Sequence, residues 1–195
     1  MRLKDKVILV TASTRGIGLA IVKKCAQEGA QVYMAARDTK RAQEIADTMD
    51  RVRCVYNDAT KPETFTSMVE DVIQDAGRID VLVNNFGTSN PGKDLDFANT
   101  DSQIFLDTVT LNLRSVFMAS QAAAKHMARH GGGSIINISS VGGLVPDISQ
   151  IAYPPFSLQL LNRAVMMLEV YLSYPVLPLP LQIYINIQGP LLFQE

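Results

Sequence analysis

Lys6-Val7-Ile8-Leu9-Val10-Thr11-Ala12-Ser13-Thr14-Arg15-Gly16-Ile17-Gly18-Leu19-Ala20 is the stretch whose reading decides the fold. A run of apolar, mostly β-branched residues gives way to small polar ones, and a helical apolar pattern follows at once. That order is strand, tight turn, helix, the entry to a parallel βαβ unit. The first N–H groups of such a helix have no partner inside it. They face the mouth of the turn with the positive end of the helix dipole, which suits a phosphate. Gly16 and Gly18 leave out side chains where backbone must approach a pyrophosphate and where helix must lie against strand. Two glycines around a turn also occur in plain loops; it is the setting between strand and helix that favours a dinucleotide.

Working outward, the same alternation continues. Helix Gly16–Glu28 ends at Gly29, and a strand covers Gln31–Ala36. A polar helix at Thr39–Met49 precedes a strand at Val52–Tyr56. The next helix, Pro62–Asp75, has Pro62 in its first turn and Gly77 past its end. Then come a strand at Ile79–Val83, an Asn/Gly/Pro-rich loop from Asn84 to Gly92, and a long helix from Asp101 to Arg129. The latter stops at Gly131-Gly132-Gly133, before a strand at Ser134–Ile138. Strands alternating with helices of this length predict an α/β fold, a doubly wound parallel sheet with helices on both faces.

Composition limits the partners. At 195 residues the chain reads as one domain, and a net charge of −1 with a pI near 6.1 leaves no basic field for nucleic acid and no polybasic membrane patch. Cys25 and Cys54 lack metal-ligand spacing and read as buried thiols of a reducing cytosol; no metal site is expected. Met1–Lys6 lacks the apolar core of a signal peptide, so the expectation is a cytoplasmic protein. His126 and His130 read as helix-end residues favourable to the dipole.

An open α/β sheet binds its ligand at the carboxyl ends of its strands. After the second strand, Ala35-Ala36-Arg37 puts a small residue where an acid would meet a ribose 2′-hydroxyl. With Arg15 in the first turn, Arg37 would suit a 2′-phosphate, favouring NADP over NAD; the alternative is two solvated surface arginines.

On these stretches the chain resembles the short-chain dehydrogenases/reductases. Thr11 to Gly18 is similar to their Thr-Gly-x-x-x-Gly-Ile-Gly turn, with Ala12 where the first Gly is usual. The resemblance implies a Rossmann-type fold whose first turn (Ser13, Arg15, Gly16, Ile17, Gly18) holds the cofactor phosphates. Asn57-Asp58-Ala59-Thr60 resembles the pair that touches adenine, here Asp58 and Ala59. Asn84-Asn85-Phe86-Gly87 resembles the loop beside the nicotinamide ribose, which assigns Asn85 and Gly87 to the cofactor. Phe86, replacing the usual Ala, either shapes the pocket or packs the loop. The resemblance also implies that Asn112 holds a water in a proton relay and that Ser140 holds the substrate oxygen. Tyr153 is the implied acid–base group of hydride transfer to or from NADP. Within the family, the first turn, Val32–Arg37, Asn84–Gly87 and Val145–Tyr153 resemble hydroxysteroid dehydrogenases acting on the 7α-hydroxyl of bile acids. That implies a steroid substrate and a homo-oligomer, typically a tetramer.

The resemblance covers residues 1–153 and then departs. The family's lysine four residues after the tyrosine is Ser157 here, and Tyr153-Pro154-Pro155 does not suit a helix. Residues 154–195 carry six of the nine prolines and only Arg163, Glu169 and Glu195 as charges. They form an atypical apolar tail of the same domain, with a helical stripe at 156–172 and a possible strand at Ile183–Ile187. The prolines argue against a membrane span in this tail. Two readings stand: an active dehydrogenase, or a catalytically impaired relative that only binds nucleotide.

Overall fold

In the computed structural model, residues 1–140 and 150–152 are described, together with the backbone of the strand at 181–188. The elements are β1 (Val7–Thr11), α1 (Gly16–Gln27), β2 (Gln31–Ala36), α2 (Thr39–Ala46), β3 (Val52–Tyr56), α3 (Thr64–Ala76), β4 (Val81–Asn84), α4 (Ser102–Met127), β5 (Gly133–Ser140) and β6 (Leu181–Gln188). They build one sheet of order β3-β2-β1-β4-β5-β6. Its pairings are all parallel. The order reverses between β1 and β4, which makes the carboxyl ends of these strands the expected ligand crevice.

The pleat of β1 sorts the core into two layers. Val7 and Leu9 point to one face, where Tyr33, Val55 and Leu82 meet Phe65, Met68, Val69 and Val72 of α3 and Ala119, Ala123 and Met127 of α4. Ile8 and Val10 point to the other, with Val32, Met34 and Val83 against Val22 of α1 and Ala46 of α2. A strand covered on both faces has no polar alternation, and all five residues of β1 are buried. The expected doubly wound α/β sheet is therefore the observed one.

Several boundaries differ from the sequence expectation. Helix α3 starts at Thr64, and Pro62 lies in the short turns ahead of it. The Thr64 hydroxyl donates to the carbonyls of Asp58 (2.9 Å) and Lys61 (2.7 Å), holding those turns out of the helix. Helix α2 ends at Ala46 rather than Met49, and Asp101 is the cap of α4, its carboxylate accepting from the Gln103 and Ile104 amides. β5 runs on to Ser140 because β6 pairs along all of it. Cys25 and Cys54 are half-buried rather than buried, because each sits at the margin of a helix-covered layer.

The amino-terminal edge of the sheet is tied by Asp80, which is 7% exposed. Its carboxylate accepts from the Val7 amide at 2.8 Å, its own amide donates to the Val7 carbonyl, and its carbonyl accepts from Ser134. Lys6 and Arg78 neutralise the carboxylate from the rim. At the other end of α4, His126 and His130 stack at 3.9 Å, and burial with the neighbouring ring pushes the His126 pKa down. Among the described residues no helix is long and apolar enough to cross a membrane.

Candidate functional site

The turn after β1 is built around a hydroxyl and two close approaches. The Thr11 hydroxyl oxygen accepts from the amides of Asn85 and Phe86, both at 2.9 Å, which ties the ends of β1 and β4 together. The Asn85 amide group donates back to the carbonyls of Thr11 (3.0 Å) and Ala12 (3.1 Å). The buried Ser13 hydroxyl donates to the Val10 carbonyl at 2.9 Å. Helix α1 comes in directly beneath: a Cβ at Gly18 would lie 2.6 Å from the Asn85 amide nitrogen and 2.7 Å from the Ala12 carbonyl oxygen. Only glycine fits there.

Gly16 opens the helix at φ +54, in the left-handed region, and Ala12 is in the same region at φ +50. Ala12 is the position where the resembled motif has glycine, so the departure carries backbone strain. Among the described residues no side chain caps the start of α1, and no acidic residue sits in its first turn. The dipole's positive end and the first N–H groups thus face the sheet's carboxyl edge without a competing carboxylate, beside the exposed Arg15 and the 43% exposed Ile17. The glycine cradle and uncapped helix fit a dinucleotide pyrophosphate.

Arg37 follows β2 directly and is exposed. The next residue, Asp38, caps α2, one carboxylate oxygen accepting from the Arg41 amide at 3.0 Å. Asp58, after β3, accepts from the Thr60 amide (3.0 Å) and hydroxyl (2.8 Å). These bonds hold its carboxyl below the usual range, with smaller help from Tyr56 and the Arg37 charge. Ala59 packs on the core beside it. Arg37 and Asp58 are thus electrostatic neighbours, while Arg15 forms no ion pair among the described residues.

The loop after β4 carries Asn85, Phe86 and the exposed Gly87. Phe86 sets its ring edge-on to Phe65 of α3, with centroids 5.9 Å apart and planes at 60°, so it packs the loop onto the helix. Asn112 is wholly buried mid-α4. Its oxygen accepts from the Thr88 amide at 2.8 Å and its nitrogen donates to the Thr88 (2.7 Å) and Thr108 (2.8 Å) carbonyls. It fastens the loop to the helix, a role that satisfies every polar atom of its side chain. Ser140 ends β5 at the same edge of the sheet. Tyr153 and Ser157 lie outside the described residues.

One edge therefore gathers the first turn, Arg37, Asp58, Ala59, Asn85, Gly87 and Ser140, each at the carboxyl end of a strand. Thr11 and Asp94 escaped the sequence reading as candidate residues. The Thr11 hydroxyl could have been suspected from a Thr closing an otherwise apolar strand. Asp94, in Pro91-Gly92-Lys93-Asp94-Leu95, has the look of any turn acid, and nothing local signals that it is buried. Among the described residues no three His, Cys, Asp or Glu side chains cluster to hold a metal.

Comparison with known proteins agrees with this fold. The 7α-hydroxysteroid dehydrogenase of Clostridium sardiniense is 48% identical over 156 residues, covering 78% of this chain and 60% of that protein. The enzyme of the same name from Paraclostridium sordellii is 46% identical over 156 residues, 78% of this chain and 58% of the relative. The chain thus spans about 60% of the length of the curated relatives it matches. In three dimensions it superposes on a short-chain dehydrogenase from Streptomyces avermitilis with a TM-score of 0.82 at 28% identity, over 95% of this chain and 65% of that one. A family model described as short chain dehydrogenase matches residues 6–155, ending two residues beyond Tyr153, where the composition changes. The chain belongs to the short-chain dehydrogenase family.

Proposed function

We propose that this chain is an NADP-dependent oxidoreductase that moves a hydride between the nicotinamide and a secondary alcohol or ketone. Its substrate is the 7α-hydroxyl of a bile acid or related hydroxysteroid. The observation that carries the reading is the 46–48% identity to 7α-hydroxysteroid dehydrogenases over 78% of the chain. When bound, the nicotinamide supplies the hydride acceptor or donor.

The chain's own residues do the rest. Gly16, Ile17 and Gly18 offer backbone N–H groups and the helix dipole to the pyrophosphate, with Ser13 shaping the turn. Asn85 and Gly87 would hold the nicotinamide ribose, and Asp58 and Ala59 the adenine. Support for NADP comes from Arg37, exposed after β2, and from the small Ala36 before it. A guanidinium there pairs with a 2′-phosphate. Ser140 holds the substrate oxygen, and Tyr153 takes the hydroxyl proton in oxidation and returns it in reduction. Asn112 steadies the loop that flanks them. Leu106 and Phe117, exposed at 54% and 56% along α4, support assembly of copies into a homo-oligomer. The balanced charge supports a cytoplasmic protein without nucleic-acid or membrane partners.

A second reading rests on Ser157, Pro154 and Pro155. A tyrosine with pKa near 10 is a weak base at neutral pH, and the family's lysine normally lowers it. Without that charge the chain binds nucleotide but turns over slowly. Reduction of NADP and of NAD, each with a 7α-hydroxy bile acid, separates the readings, together with nucleotide binding by calorimetry. Turnover with NADP is expected, and Arg37→Ala raises the KM for NADP by about 10- to 100-fold, in line with the loss of one charge-assisted hydrogen bond. Equal use of NAD refutes the NADP assignment, and tight binding without turnover selects the second reading.

A further inference from the structure

The three residues before Tyr153 are held from the side by the loop between β4 and α4. The Ser89 hydroxyl donates to the Gln150 side-chain oxygen at 2.5 Å. The Ile151 amide donates to the Leu95 carbonyl at 3.2 Å. The Ala152 amide donates to Oδ1 of Asp94 at 3.0 Å, and both Asp94 and Ala152 are wholly buried. Gln150 itself sits at φ +55, a conformation that a non-glycine residue keeps only where its surroundings enforce it.

The loop is firm enough to do so. Its near end is fastened to α4 through the paired bonds between Thr88 and Asn112, and the Asp94 amide bonds back to the Asn90 carbonyl at 2.7 Å. Asp94 is also unlike the other acids of this loop. Asp96 keeps its carboxylate in an exposed turn, accepting from the amides of Ala98 and Asn99. Asp94 turns inward, and its Oδ2 has no hydrogen-bond partner among the described residues. A buried carboxylate with one donor is costly. A turn alone does not require that cost, whereas the grip on the Ala152 amide is a single bond made one residue from Tyr153.

We propose that Asp94 is a positioning residue: by holding the Ala152 amide it sets how the chain enters Tyr153 and hence the aim of the acid–base group. This deepens the reading of Tyr153 given above and rests on it. The bond needs an acceptor, not a charge. Asp94→Asn therefore keeps the function and Asp94→Ala loses it.

The test compares the wild-type chain with Asp94→Ala, Asp94→Asn and Tyr153→Phe. Each is assayed for NADPH-dependent reduction of a 7-oxo bile acid and for amide hydrogen exchange of a peptide containing 150–152. Asp94→Ala is expected to lower kcat by about 100-fold, the scale of a misplacement near 1 Å, with the KM for NADPH within about twofold of wild type. Exchange at 150–152 accelerates in parallel, and Asp94→Asn restores both while leaving the shape of the pH profile unchanged. Turnover of Asp94→Ala within about threefold of wild type overturns the proposal, as does unprotected exchange at 150–152 in the folded wild type, which needs no variant to fold. Full activity of Tyr153→Phe instead refutes the acid–base reading, and the proposal falls with it. If the wild type binds NADPH without turnover, the exchange data decide alone: faster exchange in Asp94→Ala upholds the grip and unchanged exchange overturns it.

Discussion

Ala12 and Gly16 form a matched pair on which the account of the first turn can be tested. Both are in the left-handed region, at φ +50 and +54, and both are exposed. A Cβ at Gly16 would meet nothing within 4 Å, so exchanging alanine and glycine at either position changes backbone strain and little else. The left-handed conformation costs a non-glycine residue about 1–2 kcal/mol. Glycine's greater freedom in the unfolded chain costs about 0.5–1 kcal/mol. Ala12→Gly is then stabilising by about 0.5–1 kcal/mol, and Gly16→Ala destabilising by about the same amount. For a chain of this size that is a melting shift of about 1–4 °C, upward for the first and downward for the second. Urea titration followed by far-ultraviolet circular dichroism gives the free energies, and thermal melts give a second reading. The two variants must move in opposite directions. If Ala12→Gly melts below wild type, Ala12 is not left-handed in solution and the strain ascribed to this turn is wrong.

Two further outcomes follow from other parts of the structure. Gly18→Ala forces a methyl against the Ala12 carbonyl and Ser13 Cα, backbone atoms that cannot swing aside; it costs about 1–3 kcal/mol and abolishes the thermal stabilisation that NADPH gives the wild type. Tyr33, 1% exposed, gives its hydroxyl to Asp75, and burial together with that carboxylate pushes its pKa up from 10.0 to about 12. The folded state therefore holds the proton longer than the unfolded chain, so the contribution to stability is present below pH 10 and is lost between about 10 and 12. Urea midpoints measured from pH 9 to 12 should fall less steeply in Tyr33→Phe than in wild type; parallel slopes refute the assignment.

Much of the fold was legible because the strands are buried on both faces. Val7-Ile8-Leu9-Val10 and Val32-Tyr33-Met34-Ala35 can be read as strands from hydrophobicity and β-branching alone, and the glycines that punctuate them mark the turns. Boundaries slipped where side chains bond to the backbone. Thr64 delays α3 past Pro62 through carbonyls that no local pattern reveals. The half-buried cysteines slipped for a different reason, since burial at a layer's margin is set by how far the neighbouring helix extends. In the candidate site, Gly16, Gly18 and Asn85 are legible because their types are dictated by geometry. Asn112 shows as a polar residue in an apolar stripe, but its partner, Thr88, lies 24 positions away. Asp94 is the extreme case: its partner Ala152 is 58 residues distant, and the reason for an acid exists only once the loop and that segment meet.

The aspartate at the foot of the sheet has a mechanical consequence. Asp80 joins the amino ends of β1, β4 and β5 with main-chain bonds on either side and a carboxylate on the Val7 amide. Like the rivet of a folding fan, it fixes the ribs at the end of the sheet away from the candidate site. The opposite tips carry the glycine turn, Asn85 and Ser140. β1 and β4 are thereby fastened at both ends, by Asp80 at the foot and by the Thr11 hydroxyl at the rim, so the residues of the rim stand on strands whose register is fixed twice.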